Sequence, residues 1–132
     1  MPISPEMNIA TRDTFLTTVD GKFTSLVTEI DATTRAVSAD LEGYISYKML
    51  MYRVGQKRSD WLIAIDARGT KCVTLRFFKG VHFLDTEKLF RLGTTTIGNL
   101  DFTTSLTPGD TARITDFTKQ AIAWHAHEAS QK

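Results

Sequence analysis

The feature that most constrains the fold is a change in the spacing of apolar residues along the chain. In residues 12–37 they recur at steps of three and four, as on one side of a helix. In residues 43–78 they alternate along short segments, as on a strand with one buried side. A second helical pattern covers residues 107–128. This order predicts a helix, several strands and a final helix.

Turn signals divide the middle region into strands. Residues 43–48 and 50–54 predict one long strand or two short ones, and residues 61–66 predict another. Gly69 marks a hairpin loop before the clearest strand, residues 72–78. Because tight turns connect consecutive strands, the pattern indicates an antiparallel sheet.

Weaker signals predict the remaining connections. The polar residues 55–59 predict a turn, and residues 81–84 a short edge strand. A short helix at residues 85–92, capped by Asp85, and a last strand at residues 94–102 are expected to follow.

The helix ends carry local signals of their own. Asp13 suits the start of the first helix, and Gly21 leaves open whether that segment forms one helix or two. Thr107 is expected to cap the final helix, with Pro108 at its first position and Asp110 as the acid of a capping box.

Together these elements predict one domain over residues 1–132, with residues 1–10 as a loosely ordered N-terminal arm. The fold class is α+β. We expect a two-layer sandwich in which about five antiparallel strands carry the N- and C-terminal helices on one face.

Composition excludes several classes of protein. Cys72 is the one cysteine, so neither an internal disulfide nor a four-cysteine metal site is available. The sequence contains no run of ~20 apolar residues, so no membrane helix is expected. With no signal-peptide pattern at the start, a cytoplasmic location is the expectation.

Charge is unevenly distributed along the chain. Residues 48–79 contain eight basic and two acidic residues, whereas residues 1–42 contain three basic and seven acidic ones. The formal net charge is nevertheless only +1, which disfavours nucleic acid as a partner.

Two segments resemble the YdhG-like family, bacterial domains of unknown function. In residues 39–52, ADLEGYISYKMLMY, four positions resemble the family pattern. They are the acidic residue Glu42, the aromatic residues Tyr47 and Tyr52, and the methionine Met49. Lys48 and Leu50 stand where the family usually has glycine and proline. Residues 73–80, VTLRFFKG, are similar to the phenylalanine-rich strand of one branch.

This resemblance implies a frataxin-like fold, with two helices packed on one antiparallel sheet. It also implies intracellular iron handling. The leading hypothesis is therefore a non-enzymatic binding protein that handles iron weakly, and no cofactor other than iron is expected. Iron in an open, wet site prefers hard oxygen ligands, so surface carboxylates of the acidic first part are the expected metal ligands: Asp13, Asp20, Asp40 and Glu42.

The alternative from the residues themselves is a module that binds a small anion or a nucleotide-like ligand. An arginine beside aromatic rings can hold a carboxylate or phosphate through paired hydrogen bonds. The expected ligand site combines aromatic, methionine and basic residues at the rim of the sheet: Tyr47, Met49, Tyr52, Arg76, Phe78 and Lys79. Core packing is the competing interpretation of the tyrosines and the methionine.

Other sites receive less support from the sequence. His125 and His127 point about 200° apart on a helix, so they do not suit a shared metal. No recognisable catalytic motif is present, so an enzyme is not expected. The sheet face that carries Arg76 and Phe78 is also a candidate surface for a homodimer.

Overall fold

The helices lie towards the two ends of the chain, and the strands lie between them. The computed structural model describes residues 5–54, 61–85, 88–92 and 96–131. The elements in chain order are α1 (Pro5–Leu16), α2 (Thr24–Arg35), β1 (Glu42–Ser46), β2 (Met49–Arg53), β3 (Trp61–Asp66), β4 (Val73–Phe77), β5 (Arg91–Leu92), β6 (Gly98–Phe102) and α3 (Pro108–Ser130).

The strands form one open sheet in the order β1-β2-β3-β4-β6-β5, and every neighbouring pair is antiparallel. The predicted mixed α+β class and the antiparallel sheet are confirmed. The described residues contribute six strands, rather than about five, because the short β5 pairs with β6 at the edge.

The core lies between the helices and one face of the sheet, the inner face. Val73, Leu75 and Phe77 point inward from β4 and are completely buried, as their alternation predicts. Phe15 of α1 and Ile114 of α3 belong to the same apolar cluster. The opposite face of the sheet, on the side of Arg76, is called the outer face below.

The first helical pattern forms two helices. α1 begins at Pro5, so residues 5–10 of the expected arm are helical and Asp13 lies within the helix. The helix stops at Leu16, and a single 3₁₀ turn at Gly21–Phe23 leads into α2. Asp20 accepts a hydrogen bond from the Lys22 N–H, and this local bond favours the turn over a continuous helix.

The segment after β4 differs from its prediction. Gly80–His82 forms a 3₁₀ turn instead of the start of an edge strand. The expected helix at residues 85–92 is also absent from its described part, which runs without helix into β5. The Asp85 carboxylate accepts hydrogen bonds from the N–H groups of Leu89 and Phe90, so it closes a turn there.

The final helix follows its local signals. Thr107 Oγ1 accepts from the Asp110 N–H, and the Asp110 carboxylate accepts from the Thr107 N–H, which forms the predicted capping box. α3 then continues to Ser130. No helix in the described ranges is both long and apolar enough to cross a membrane. The predicted turn at residues 55–59 lies outside these ranges.

Candidate functional site

The turn between β1 and β2 has an unusual backbone. Tyr47 and Lys48 have φ angles of 52° and 63°, in the left-handed region. Two-residue hairpin turns of this shape normally use Asn-Gly or Gly-Gly, because a side chain is strained there by about 1–3 kcal/mol. The pairing of Ser46 with Met49 closes the turn from both sides. The sheet therefore holds Lys48 in a conformation that the residue does not favour.

Lys48 lines a groove at this end of the molecule. The groove has a volume of about 690 Å³, larger than two other described pockets of about 180 and 30 Å³. We call it the end groove. It lies between the carboxyl end of α1, the β1–β2 turn and the β3–β4 turn, and its lining residues are Thr14, Phe15, Thr17, Thr18, Ile45, Lys48, Ala67 and Arg68.

A tertiary contact fixes α1 at the side of this groove. The Asn8 amide donates to the Leu41 carbonyl at 3.2 Å and accepts from the Gly43 N–H at 2.9 Å. Asn8 is buried, so its bond to the Leu41 carbonyl is shielded from water, and the bond from the Gly43 N–H is partly shielded. Because these bonds join α1 to the edge strand β1, they set the position of one groove wall against the other.

The two basic residues of the end groove are held differently. Lys48 has no ion pair among the described residues and its side chain is exposed. Arg68 donates from Nε and Nη2 to the two oxygens of Asp66, at 3.0 and 2.8 Å. Its side chain is still 51% exposed, so the guanidinium is oriented but remains accessible.

Asp66 connects the end groove to the outer face. Arg76 donates to the same carboxylate at 2.7 Å and to the Asn99 side-chain oxygen at 3.1 Å. Hydrogen bonds from Arg68 and Arg76 hold the pKa of Asp66 well below its usual range, against the opposing effect of its partial burial. Two arginines thus share one ionised carboxylate, and the cluster keeps one positive charge.

The structure divides the residues of the predicted anion site between the two faces of the sheet. Tyr52 is completely buried on the inner face, where its hydroxyl donates to Asp31. Arg76 points to the outer face. Because side chains of a strand alternate between faces, Tyr52 and Arg76 do not line one pocket. The complete burial of Tyr52 favours its interpretation as a core residue, whereas a ligand site at the other predicted residues stays a prediction.

The other four residues of that predicted site lie outside the end groove, and two of them contact one tryptophan. Tyr47 and Phe78 each lie beside Trp61, with ring centroids 5.6 and 6.0 Å from the indole. Met49 of β2 is half-buried. Lys79 contacts Glu128 of α3 at 3.7 Å. None of these four residues is in the lining of the end groove.

The four predicted iron ligands lie on different elements. Asp13 pairs with Arg12, and Asp20 accepts the backbone bond that closes the 3₁₀ turn. Glu42 accepts from Arg53 Nε at 2.7 Å, and Asp40 is exposed before β1. Across the part of the chain that the structure describes, no three histidine, cysteine, aspartate or glutamate side chains are grouped as a metal site would require.

The sequence does not predict Arg68 or the threonines Thr14, Thr17 and Thr18 as site residues, because only the tertiary structure brings them to one groove. Lys48 stands where the YdhG-like family, which this segment resembles, usually has glycine, and it is not among the ligand residues predicted from the sequence. The usual glycine at its position was a usable signal, because glycine favours the left-handed φ that Lys48 adopts. Comparison with known protein families, with curated proteins and with solved structures finds no match to this chain.

Proposed function

We propose that the chain is a non-enzymatic protein that binds a small organic anion in the end groove. One observation carries the proposal: Lys48 and Arg68 both line a groove of about 690 Å³ whose lining also includes the apolar residues Phe15, Ile45 and Ala67. This volume lies in the range of small-molecule sites, roughly 300–1,000 Å³. The proposal covers carboxylates and phosphates, including the nucleotide-like ligands that the basic middle of the sequence favours.

The two cations suit complementary roles towards an anion. Arg68 is already oriented by Asp66, so little freedom is lost when its remaining N–H groups bind a ligand oxygen. Lys48 adds a compact point charge on a flexible stem. Lys48 and the surplus charge of the Asp66 cluster together give this side of the groove two positive charges.

The apolar lining residues of the end groove favour a ligand with an apolar part. Phe15 and Ala67 are buried members of the core, and Ile45 is 43% exposed beside them. Covering the exposed part of such a surface stabilises a complex by about 25 cal/mol for each Å² removed from water. A bare inorganic anion would leave this surface open to water.

The backbone at Lys48 also supports a binding role. A strained residue persists only where the surrounding structure holds it, and such residues concentrate at functional sites. The same residue lines the groove, so the backbone strain and a basic side chain occur at one position.

Membership of the YdhG-like family and a frataxin-like fold belong to this proposal. The order of helices, antiparallel strands and final helix, with the helices packed on the inner face, supports them. Weak iron handling, which the resemblance also implies, stays a prediction. Its four carboxylates lie in different parts of the fold, so the proposal rests on the groove instead.

Titration of the full chain with hexanoate and hexyl phosphate, followed by amide NMR shifts, tests the anion site. We expect shifts around Thr18, Lys48 and Arg68. Lys48→Ala should weaken binding at least ~10-fold, about 1.4 kcal/mol, because it removes a cation that forms no ion pair within the described residues. The matched control is Lys71→Ala, which removes an exposed lysine from the β3–β4 loop outside the groove lining. Equal affinities of wild type and Lys48→Ala would overturn the proposal.

A further inference from the structure

The α1 wall of the end groove offers hydrogen-bond acceptors. Its three threonines donate their hydroxyl hydrogens to carbonyls three or four residues earlier in α1, at 3.0, 2.7 and 2.8 Å for Thr14, Thr17 and Thr18. A hydroxyl has one hydrogen to donate but two lone pairs. Towards a ligand, these oxygens therefore act as acceptors and not as donors.

The end of α1 adds negative potential to the same wall. A helix has a partial negative charge at its carboxyl end, where basic side chains often compensate it. The last turn of α1 contains no basic residue. Thr17 and Thr18 follow this end directly and line the groove. This wall therefore favours a cation or a neutral donor.

The opposite wall carries positive charge and is kept apart from the first. Within the described residues, neither Lys48 nor Arg68 has a side-chain hydrogen bond or ion pair to α1. The open volume lies between the two walls, so neither wall supplies hydrogen-bond or ion-pair partners to the other. A ligand that fits both must present opposite charges at its two ends.

We infer that the ligand of the end groove is dipolar, with a carboxylate or phosphate at one end and an ammonium group at the other. The inference rests on the proposed function, because it concerns the same groove. The anionic end contacts Lys48 and Arg68, and the ammonium donates to the threonine oxygens near the end of α1. A short apolar body between them covers Phe15 and Ala67. Amino-acid-like zwitterions form the chemical class that meets these conditions.

Three probes of matched chain length test the inference on the full chain: 6-aminohexanoate, hexanoate and hexylamine. We expect 6-aminohexanoate to bind at least ~10-fold more tightly than either probe with one charge. Lys48→Ala should weaken the binding of both carboxylates and leave the affinity for hexylamine unchanged. Amide NMR titration measures the three affinities under one set of conditions.

The outcomes separate this inference from the anion proposal. If hexanoate binds as tightly as 6-aminohexanoate in a Lys48-dependent manner, the dipolar inference is overturned and the anion site stands. If neither carboxylate nor hexyl phosphate binds, both fail. If hexylamine matches 6-aminohexanoate, the groove is a cation site and the inference is again overturned.

Thr18→Val examines the α1 wall separately. Valine keeps the shape of threonine but removes the acceptor oxygen. We expect a several-fold loss of affinity for 6-aminohexanoate and no change for hexanoate. An equal loss for both probes would mean that Thr18 acts through packing alone, contrary to the inference. Urea unfolding of the variant checks that its fold is intact.

Discussion

Two carboxylates of this chain are each held by arginine, yet one lies in the core and the other beside a groove. Asp31 is 1% exposed and accepts hydrogen bonds from Arg35 and from the Tyr52 hydroxyl. Asp66 is shared by Arg68 and Arg76 at the boundary of the outer face. The Asp31 cluster balances one carboxylate with one arginine, whereas the Asp66 cluster has one cation in excess.

This difference separates a structural charge from one that is available to a ligand. In the core, an ionised group must be fully satisfied, because an unpaired buried charge is costly. Burial and the neighbouring Asp31 raise the pKa of Tyr52 well above its usual value, so its hydroxyl stays a donor. At the groove, water compensates surplus charge, so Arg68 and Lys48 persist without a full set of partners.

The largest expected effect comes from breaking the core cluster. Asp31→Ala leaves Arg35 and the Tyr52 hydroxyl without their shared acceptor, so we expect a loss of about 3–5 kcal/mol in the free energy of unfolding. Asp66→Ala should cost far less, on the order of 1 kcal/mol, because water reaches its arginines. Urea denaturation of both variants measures the contrast.

Similar losses for the two variants would contradict the proposed distinction. Tyr52→Phe supports the test if Asp31→Ala does not fold. It removes one hydrogen bond without leaving the carboxylate unpaired, so we expect a loss of about 1 kcal/mol.

The pH dependence of stability should distinguish the clusters at opposite ends of the scale. The raised pKa of Tyr52 means that its contribution is complete below the unfolded value near 10 and is lost as pH rises towards the folded one. The lowered pKa of Asp66 means that its contribution is present above the unfolded value of about 3.9 and is lost as pH falls below it.

We therefore expect Tyr52→Phe to flatten the loss of stability above about pH 10 and Asp66→Asn to flatten the loss below about pH 4. Each residue accounts for a slope of at most ~1.4 kcal/mol per pH unit. Denaturant midpoints across pH measure both slopes. Profiles parallel to that of the wild type would show that these residues do not carry the pH dependence.

The smallest expected effect tests whether the strained backbone at Lys48 lowers the stability of the fold while supporting binding in the groove. Lys48→Gly relieves the left-handed φ, so we expect the protein to gain about 0.5–1 kcal/mol in the free energy of unfolding while hexanoate affinity falls. Lys71→Gly is the control, because Lys71 is not among the described non-glycine residues with positive φ. A gain in stability from both variants, or from neither, would remove strain at Lys48 as an argument for function.

Much of the fold follows from local sequence signals and needs no knowledge of tertiary contacts. The capping box of Thr107 and Asp110 fixed the start of α3, and alternation assigned Val73, Leu75 and Phe77 to the inner face. Predictions failed where a side chain competed for the backbone. In the described part of residues 85–92, for example, the Asp85 carboxylate accepts two backbone hydrogen bonds where a helix was predicted.

The candidate site was less accessible to sequence reasoning. The YdhG-like family, which this segment resembles, usually has glycine at the position of Lys48. That was a signal for positive φ, but nothing local linked Lys48 to Arg68. The Asp31–Arg35 pair had a readable i,i+4 spacing, whereas its contact with Tyr52 spans 21 residues.

By itself, the sequence determined the order of the elements, the antiparallel sheet and the caps, because each depends on residues within a few positions of one another. Only the tertiary structure decided which charges face each other. Asn8 reaches Gly43 across 35 residues, and this contact places the end of α1 opposite Lys48 and Arg68. Periodicity gives the face on which a side chain lies, whereas the packing of distant elements determines what lies across from it.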